Sequence, residues 1–285
     1  MYRINVKIPI NLLGILDMSS AQFAPLPPTA ATLLVQSGFN DSRSILTVLA
    51  SDLLVSRIVT IICERIGFDG TFSHIAQSSS PKSLTQLAIA CDLWISGSRV
   101  STRTVSSSHM SLGSLVIGVL TPSVLEADFL NVTGDLQMRA SSFALFSTLT
   151  YSLVARQMPD EFESAASVAQ FRKIPISDAF ETVAGVTMRE VAGRLASAWN
   201  LNRELTIALQ GPGDFVLSPE EKIIISATET ATSAAQSAAL SMEPWPYTVK
   251  TDKIEQIALI QALGMRARKV AGQLEEKIAE LKSAA

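Results

Sequence analysis

Between Ser42 and Gly67 the apolar residues Ile45, Val48, Leu49, Leu53, Ile58, Ile61, Ile62 and Ile66 recur at intervals that place them on one helical face. A strand would alternate in twos, so this segment commits the chain to helix. Asn40, Asp41 and Ser42 offer capping side chains before it, and the series reads as one long helix or two short ones broken near Asp52. The same grammar returns along the chain. Pro27 or Pro28 can open a helix running to Gly38, and Pro81 can open one through Leu84, Leu87, Ala88, Cys91 and Leu93. Phe143, Leu145, Phe146, Leu149, Leu153 and Val154 form a further stripe halted at Pro159, and Thr187 to Trp199 and Arg203 to Gln210 read as two helices joined at Asn200 to Asn202. Ser218-Pro219-Glu220-Glu221 has the layout of a capping box, and Thr251 or Asp252 can cap a last helix from Lys253 to about Lys282.

Three segments depart from this rhythm. Ile4, Val6, Ile8 and Ile10 alternate with Arg3, Asn5 and Lys7, which predicts a short N-terminal β-strand, at a sheet edge or ending at Pro9. Residues 97–111 are rich in Ser and Thr and read as a loop or weak strand. Leu112 to Leu120 is an apolar run that Thr121 and Pro122 are expected to stop, and its short length leaves helix and strand both open. The expected organisation is therefore all-α: an N-terminal strand and linker over 1–20, then one helical domain over 21–285 with sub-bundles at 21–96 and 140–285.

Charge and rare residues exclude several functions. With 23 basic against 26 acidic residues the net charge is -3, and no basic run occurs, so the electrostatic footprint of a nucleic-acid binder is lacking. Charged residues make up 17% of the chain, below the roughly 25% of ordinary soluble domains, which suits a surface that packs against another protein. No apolar run reaches the roughly 18 to 20 residues of a membrane span, and no signal peptide is expected. Cys63 and Cys91 are too far apart for a C-x-x-C motif and read as buried thiols in a reducing, cytoplasmic compartment.

Several segments resemble the HDOD domain, the noncatalytic relative of the HD phosphohydrolases found in bacterial signalling proteins. Pro25-Leu26-Pro27-Pro28-Thr29-Ala30-Ala31-Thr32-Leu33-Leu34 is similar to that family's opening Leu-Pro-Pro and apolar helix, and Asp41, Ser44 and Asp52 to its Asp-containing helix junction. Ser83-Leu84-Thr85-Gln86-Leu87-Ala88-Ile89 resembles a later helix. The most specific match is Gly185-Val186-Thr187-Met188-Arg189-Glu190-Val191-Ala192, followed by Trp199-Asn200-Leu201 and Glu204-Leu205. Met188 stands where family members tend to have His, Ala192 where they have Gly, and Asn202 where they have Pro. No His lies between Tyr151 and Phe180, where the family often keeps a Leu-His-Asp segment, and Leu112 to Asp135 has no counterpart. The similarity extends over roughly residues 22–283 and implies a helical, noncatalytic module that acts through protein contacts.

The residues themselves point the same way. An HD-type hydrolase needs several His and Asp side chains around a metal that activates water; this chain has His74 and His109 alone, neither followed by Asp and both in predicted loops. Without a paired base the many serines form no catalytic constellation. Gly211-Pro212-Gly213-Asp214 lacks the lysine of a phosphate loop and reads as a turn after a helix. Asp160-Glu161 and Glu275-Glu276 read as solvated acids, and Trp199 as a core anchor. Trp245, between Pro244 and Pro246 and beside Tyr247, either packs a connector onto the body or marks a partner surface. No catalytic, metal or cofactor residue is expected, nor any nucleic-acid or membrane partner. The expected partner is another signalling protein, with a homodimer left open. Two rival readings stand beside this one: a self-assembling structural protein, viral in one version, and a divergent metal-dependent phosphohydrolase.

Overall fold

The computed structural model describes residues 25–36, 42–68, 72–100, 102–129, 131–240 and 254–283. Among them there are thirteen helices and no strand. In chain order they are α1 (Pro28–Gln36), α2 (Ser42–Ser51), α3 (Leu53–Arg65), α4 (Phe72–Ser78), α5 (Pro81–Gly97), α6 (Ser107–Asp128) and α7 (Gly134–Gln157). There follow α8 (Pro159–Arg172), α9 (Ile176–Ala184), α10 (Met188–Ala198), α11 (Arg203–Gln210), α12 (Pro219–Ser237) and α13 (Ile254–Ser283). The predicted strand over 1–20 lies outside the described residues.

Short polar side chains start these helices where the sequence offers them. Asp52 breaks the first apolar series: its Oδ1 accepts from the Val55 N–H at 3.1 Å and caps α3, its Oδ2 accepts from the Thr29 hydroxyl at 2.7 Å, and α2 and α3 meet at 118°. Ser80 caps α5 ahead of Pro81, and Thr187 and Ser218 each complete a capping box, with Glu190 and Glu221.

Helices α5 and α7 are buried along most of their length, and α7 packs against α5, α6, α8, α10, α11 and α12. The main core gathers Leu33, Leu49 and Ile62 with Leu87, Phe146, Leu205, Ile224 and Leu274, so first and last helices share one apolar interior. A second cluster joins the end of α7 to α8, α9 and the start of α10 through Val154, Phe162, Ala165, Phe180, Met188 and Val191. Helices α8 and α9 are additions to the expected set; α9 is nonetheless amphipathic, with Ile176, Ala179, Phe180 and Val183 at helical spacing ahead of Gly185. The buried residues of α8 are Phe162, Ala165, Ala166 and Ala169, a face made mostly of Ala that leaves little hydrophobic contrast.

The expectation that Leu112 to Leu120 ends at Thr121 and Pro122 is corrected by α6, a helix of 22 residues that runs through Pro122. Proline lacks the N–H that would bond the carbonyl four residues earlier. Here that carbonyl, on Gly118, accepts instead from Ser141 Oγ on α7 at 2.8 Å. Gly118 also permits the contact, since a Cβ there would lie 2.9 Å from Leu145 Cγ. As a result, residues Met110–Asp128 are long and apolar enough to cross a bilayer, contrary to the length argument from sequence. Yet 83% of that stretch is buried inside the protein, under α7, α12 and α13, so it is a core helix. His74 and His109 are also corrected, from predicted loops to helices α4 and α6.

If the Ser141 hydroxyl replaces the missing proline donor, Ser141→Ala lowers stability by about 1–3 kcal/mol. In a Pro122→Ala background, where a backbone N–H returns, the same substitution costs less; urea titrations of the four proteins measure the coupling.

Candidate functional site

Met188 is the first residue of α10. Thr187 Oγ1 accepts from the Glu190 N–H at 3.1 Å, while Glu190 Oε2 accepts from the Thr187 N–H at 2.6 Å and from the Thr187 hydroxyl at 2.9 Å; these two bonds to the carboxylate hold it below the usual carboxylate range. The cap turns Met188 inward. Its side chain is 3% exposed and belongs to the second apolar cluster, against which Tyr151 also packs. A neutral thioether in such surroundings fills space and moves no proton. Ala192 is fully buried, Trp199 ends α10 half-buried against the main core, and Asn202 caps α11 by accepting from the Leu205 N–H at 3.1 Å.

The remaining residues singled out in the sequence are dispersed. His74 is exposed on α4, and His109 lies in the first turn of α6. Among the described residues no group of three or more His, Cys, Asp or Glu could hold a metal ion. Burial, with the nearby Glu64 charge, pushes the Cys63 thiol up to about 12, and burial raises Cys91 well above its ordinary value. Neither thiol is poised to react. Gly211 terminates α11 at φ +83° with the Arg189 guanidinium packed against it, so the Gly211–Asp214 segment is a helix end. Asp160 and Glu161 sit in the first turn of α8, where the helix dipole favours acids, and Glu275 and Glu276 are exposed on α13. Trp245 and Tyr247 lie outside the described residues.

The structure assembles a charged cluster that the sequence reading did not single out. Glu204, on the first turn of α11, is 8% exposed. Its Oε1 accepts from Arg139 Nε of α7 at 3.1 Å, and its Oε2 lies 3.4 Å from Gln86 Nε2 and 3.6 Å from Lys82 Nζ, both of α5. Arg139 Nη1 also donates to Glu220 Oε2 of α12 at 2.8 Å. Burial opposes the charge on Arg139, but the carboxylates of Glu220 and Glu204 outweigh it and hold the guanidinium more firmly protonated. Nearby, Asp135 of α7 accepts from the Ser80 N–H at 3.2 Å. Burial raises its pKa, yet the hydrogen bonds from Ser80 and Ser83, helped by Arg139, prevail and lower it overall.

Two cavities flank α5. One, of about 360 Å³, lies between α1, α2, the first turns of α5 and the Asn200–Asn202 turn, and Lys82, Thr85 and Gln86 form its polar wall. The other, of about 400 Å³, is bounded by Pro25–Pro28, Asp52, Asp92, Arg99 and Arg156. There Asp92, buried on α5, accepts from the Ala30 N–H at 2.7 Å and so anchors the start of α1, while burial raises its pKa.

No protein-family model and no curated protein matches the chain. Solved structures do. An HDOD domain protein of unknown function from Geobacter sulfurreducens covers 92% of this chain and 92% of its own, with a TM-score of 0.59 at 14% identity. The fold is that of the HDOD domain. A Shewanella amazonensis SB2B protein, named as a candidate phosphohydrolase, covers 89% of this chain and 93% of its own, with a TM-score of 0.58 at 15% identity. The expected HDOD-like, all-helical architecture is thereby established as a fold.

Removing one partner of the buried pair strands the other charge, so Arg139→Met costs about 3 kcal/mol, and adding Glu204→Met recovers much of that loss. Chemical denaturation of both variants checks it. Because the Asp135 carboxyl titrates lower in the fold than its ordinary 3.8, its contribution is present above that value and fades as pH falls through the folded pKa. Asp135→Asn lacks this component, and the difference between the two proteins' urea midpoints therefore narrows in acid.

Proposed function

We propose that this chain is a noncatalytic regulatory module of the HDOD type, working in the cytoplasm through contacts with another signalling protein. The single observation carrying this reading is the burial of Met188 among Phe162, Ala165, Phe180 and Val191 at the position matched to the family's His. A site for phosphate-ester hydrolysis needs polar, ionisable groups converging on a metal and its water. Here the matched position contributes to an apolar core. Large apolar side chains on the surface supply contact chemistry: Phe171 on α8 and Val216 before α12 are each 89% exposed. The charge pattern gives no support to a nucleic-acid partner.

One observation favours a second reading, a divergent metal-dependent phosphohydrolase: the fold is shared with the Shewanella amazonensis protein named as a candidate for that activity. An assay with bis(p-nitrophenyl) phosphate and Mn²⁺, Mg²⁺ or Zn²⁺, run beside metal analysis of the purified protein, separates the two. The noncatalytic reading expects the rate to stay at that of buffer with each metal. Metal-dependent turnover that follows the protein through size-exclusion chromatography would overturn it.

A further inference from the structure

The cavity of about 400 Å³ beside the second half of α5 falls within the roughly 300–1,000 Å³ typical of ligand pockets, and its charges are sorted toward two ends. Asp92 is 6% exposed and lines it. Its Oδ2 is committed to the Ala30 N–H at 2.7 Å, and among the described residues no donor reaches Oδ1. That oxygen is not sealed in: the buried side-chain atoms left without a partner among the described residues are Arg65 Nε, Gln86 Oε1 and Gln236 Nε2, so Oδ1 opens onto the cavity that Asp92 lines. An ionised carboxylate has lone pairs for about four donors, and this one holds a single hydrogen bond. Asp52, the second acid of the lining, has its two oxygens engaged by the Val55 N–H and the Thr29 hydroxyl. Because Thr29 and Ala30 are adjacent, both carboxylates stand at the first turn of α1.

The basic end lies further along α5. Arg156 of α7 donates from Nη1 to Ser96 Oγ at 3.2 Å, and Ser96 follows Asp92 by one helical turn, about 6 Å along the axis. Arg99, just past the end of α5, joins the same lining. Both guanidinium-bearing residues are exposed, and among the described residues neither is in an ion pair. Leu26, Pro27, Leu54 and Ile95 supply the apolar wall.

We propose that this cavity binds an ω-amino carboxylate, with its ammonium on Asp92 Oδ1, its carboxylate on Arg156 and Arg99, and its methylene chain against the apolar wall. An α-amino acid carries its two charges on neighbouring groups and cannot reach both ends at once, whereas a chain of methylenes sets them apart. The site is separate from Met188, and the proposal stands whether the module is catalytic or not. Isothermal titration of the full chain with 4-aminobutanoate, 5-aminopentanoate and 6-aminohexanoate tests it. Three probes accompany them: pentanoate, which lacks the ammonium, pentylamine, which lacks the carboxylate, and glycine, which has both but side by side. Saturable binding of at least one ω-amino acid is expected, with all three probes about tenfold weaker or more, the loss of roughly one charged hydrogen bond. Asp92→Asn and the surface variant Arg156→Ala each weaken that binding by about as much, with the far-UV circular dichroism of Arg156→Ala unchanged. Absence of saturable heat with all three ω-amino acids overturns the proposal, as does binding that glycine matches or that Arg156→Ala leaves untouched.

Discussion

A charge placed inside an apolar helical bundle must be neutralised where it stands, and the Arg139–Glu204 pair meets that demand at the junction of four helices. Arg139 comes from α7, Glu204 from α11, Glu220 from α12, and Lys82 and Gln86 from α5. Ion pairs of this kind contribute little net stability against a well-packed apolar alternative, but they penalise any arrangement that separates the partners. Their effect is therefore on register. With α7 packed against six other helices, fixing its first turns against α5 and α11 orients the main core and shapes the wall of the neighbouring cavity.

How much of this can be read from the chain depends on where each interaction closes. Asp52, Ser80, Thr187, Asn202 and Ser218 bond to backbone groups three residues away, so the caps, and with them most helix starts, are legible in sequence. Pro122 misleads because the carbonyl it leaves without a donor, on Gly118, is served by Ser141, 23 residues further along the chain, and no local rule couples a proline to a distant hydroxyl. The stretch over α8 is opaque for a different reason. An interior face of Ala165, Ala166 and Ala169 buries well but contrasts weakly with the Ala- and Ser-rich surface around it.

The charged cluster shows the same limit at the level of a site. Glu204 is separated from Gln86 by 118 residues and from Arg139 by 65, and each residue alone looks like an ordinary polar surface side chain. Met188 is the converse case. Its place in the pattern Gly185 to Ala192 is visible in the sequence, whereas its surroundings come from distant parts of the chain, including the end of α7 and the Ala-rich face of α8.

Met188 lies in an apolar interior, and the claim that this position has no part in metal chemistry is the one on which the functional account turns. Methyl NMR of protein labelled at its methionine methyl groups, with Met188 assigned through Met188→Leu, addresses it during titration with Mn²⁺. An interior packed as described predicts that the Met188 resonance keeps its width and position while metal is added. Selective broadening of that resonance at low metal concentration would place a bound ion beside it and contradict the account.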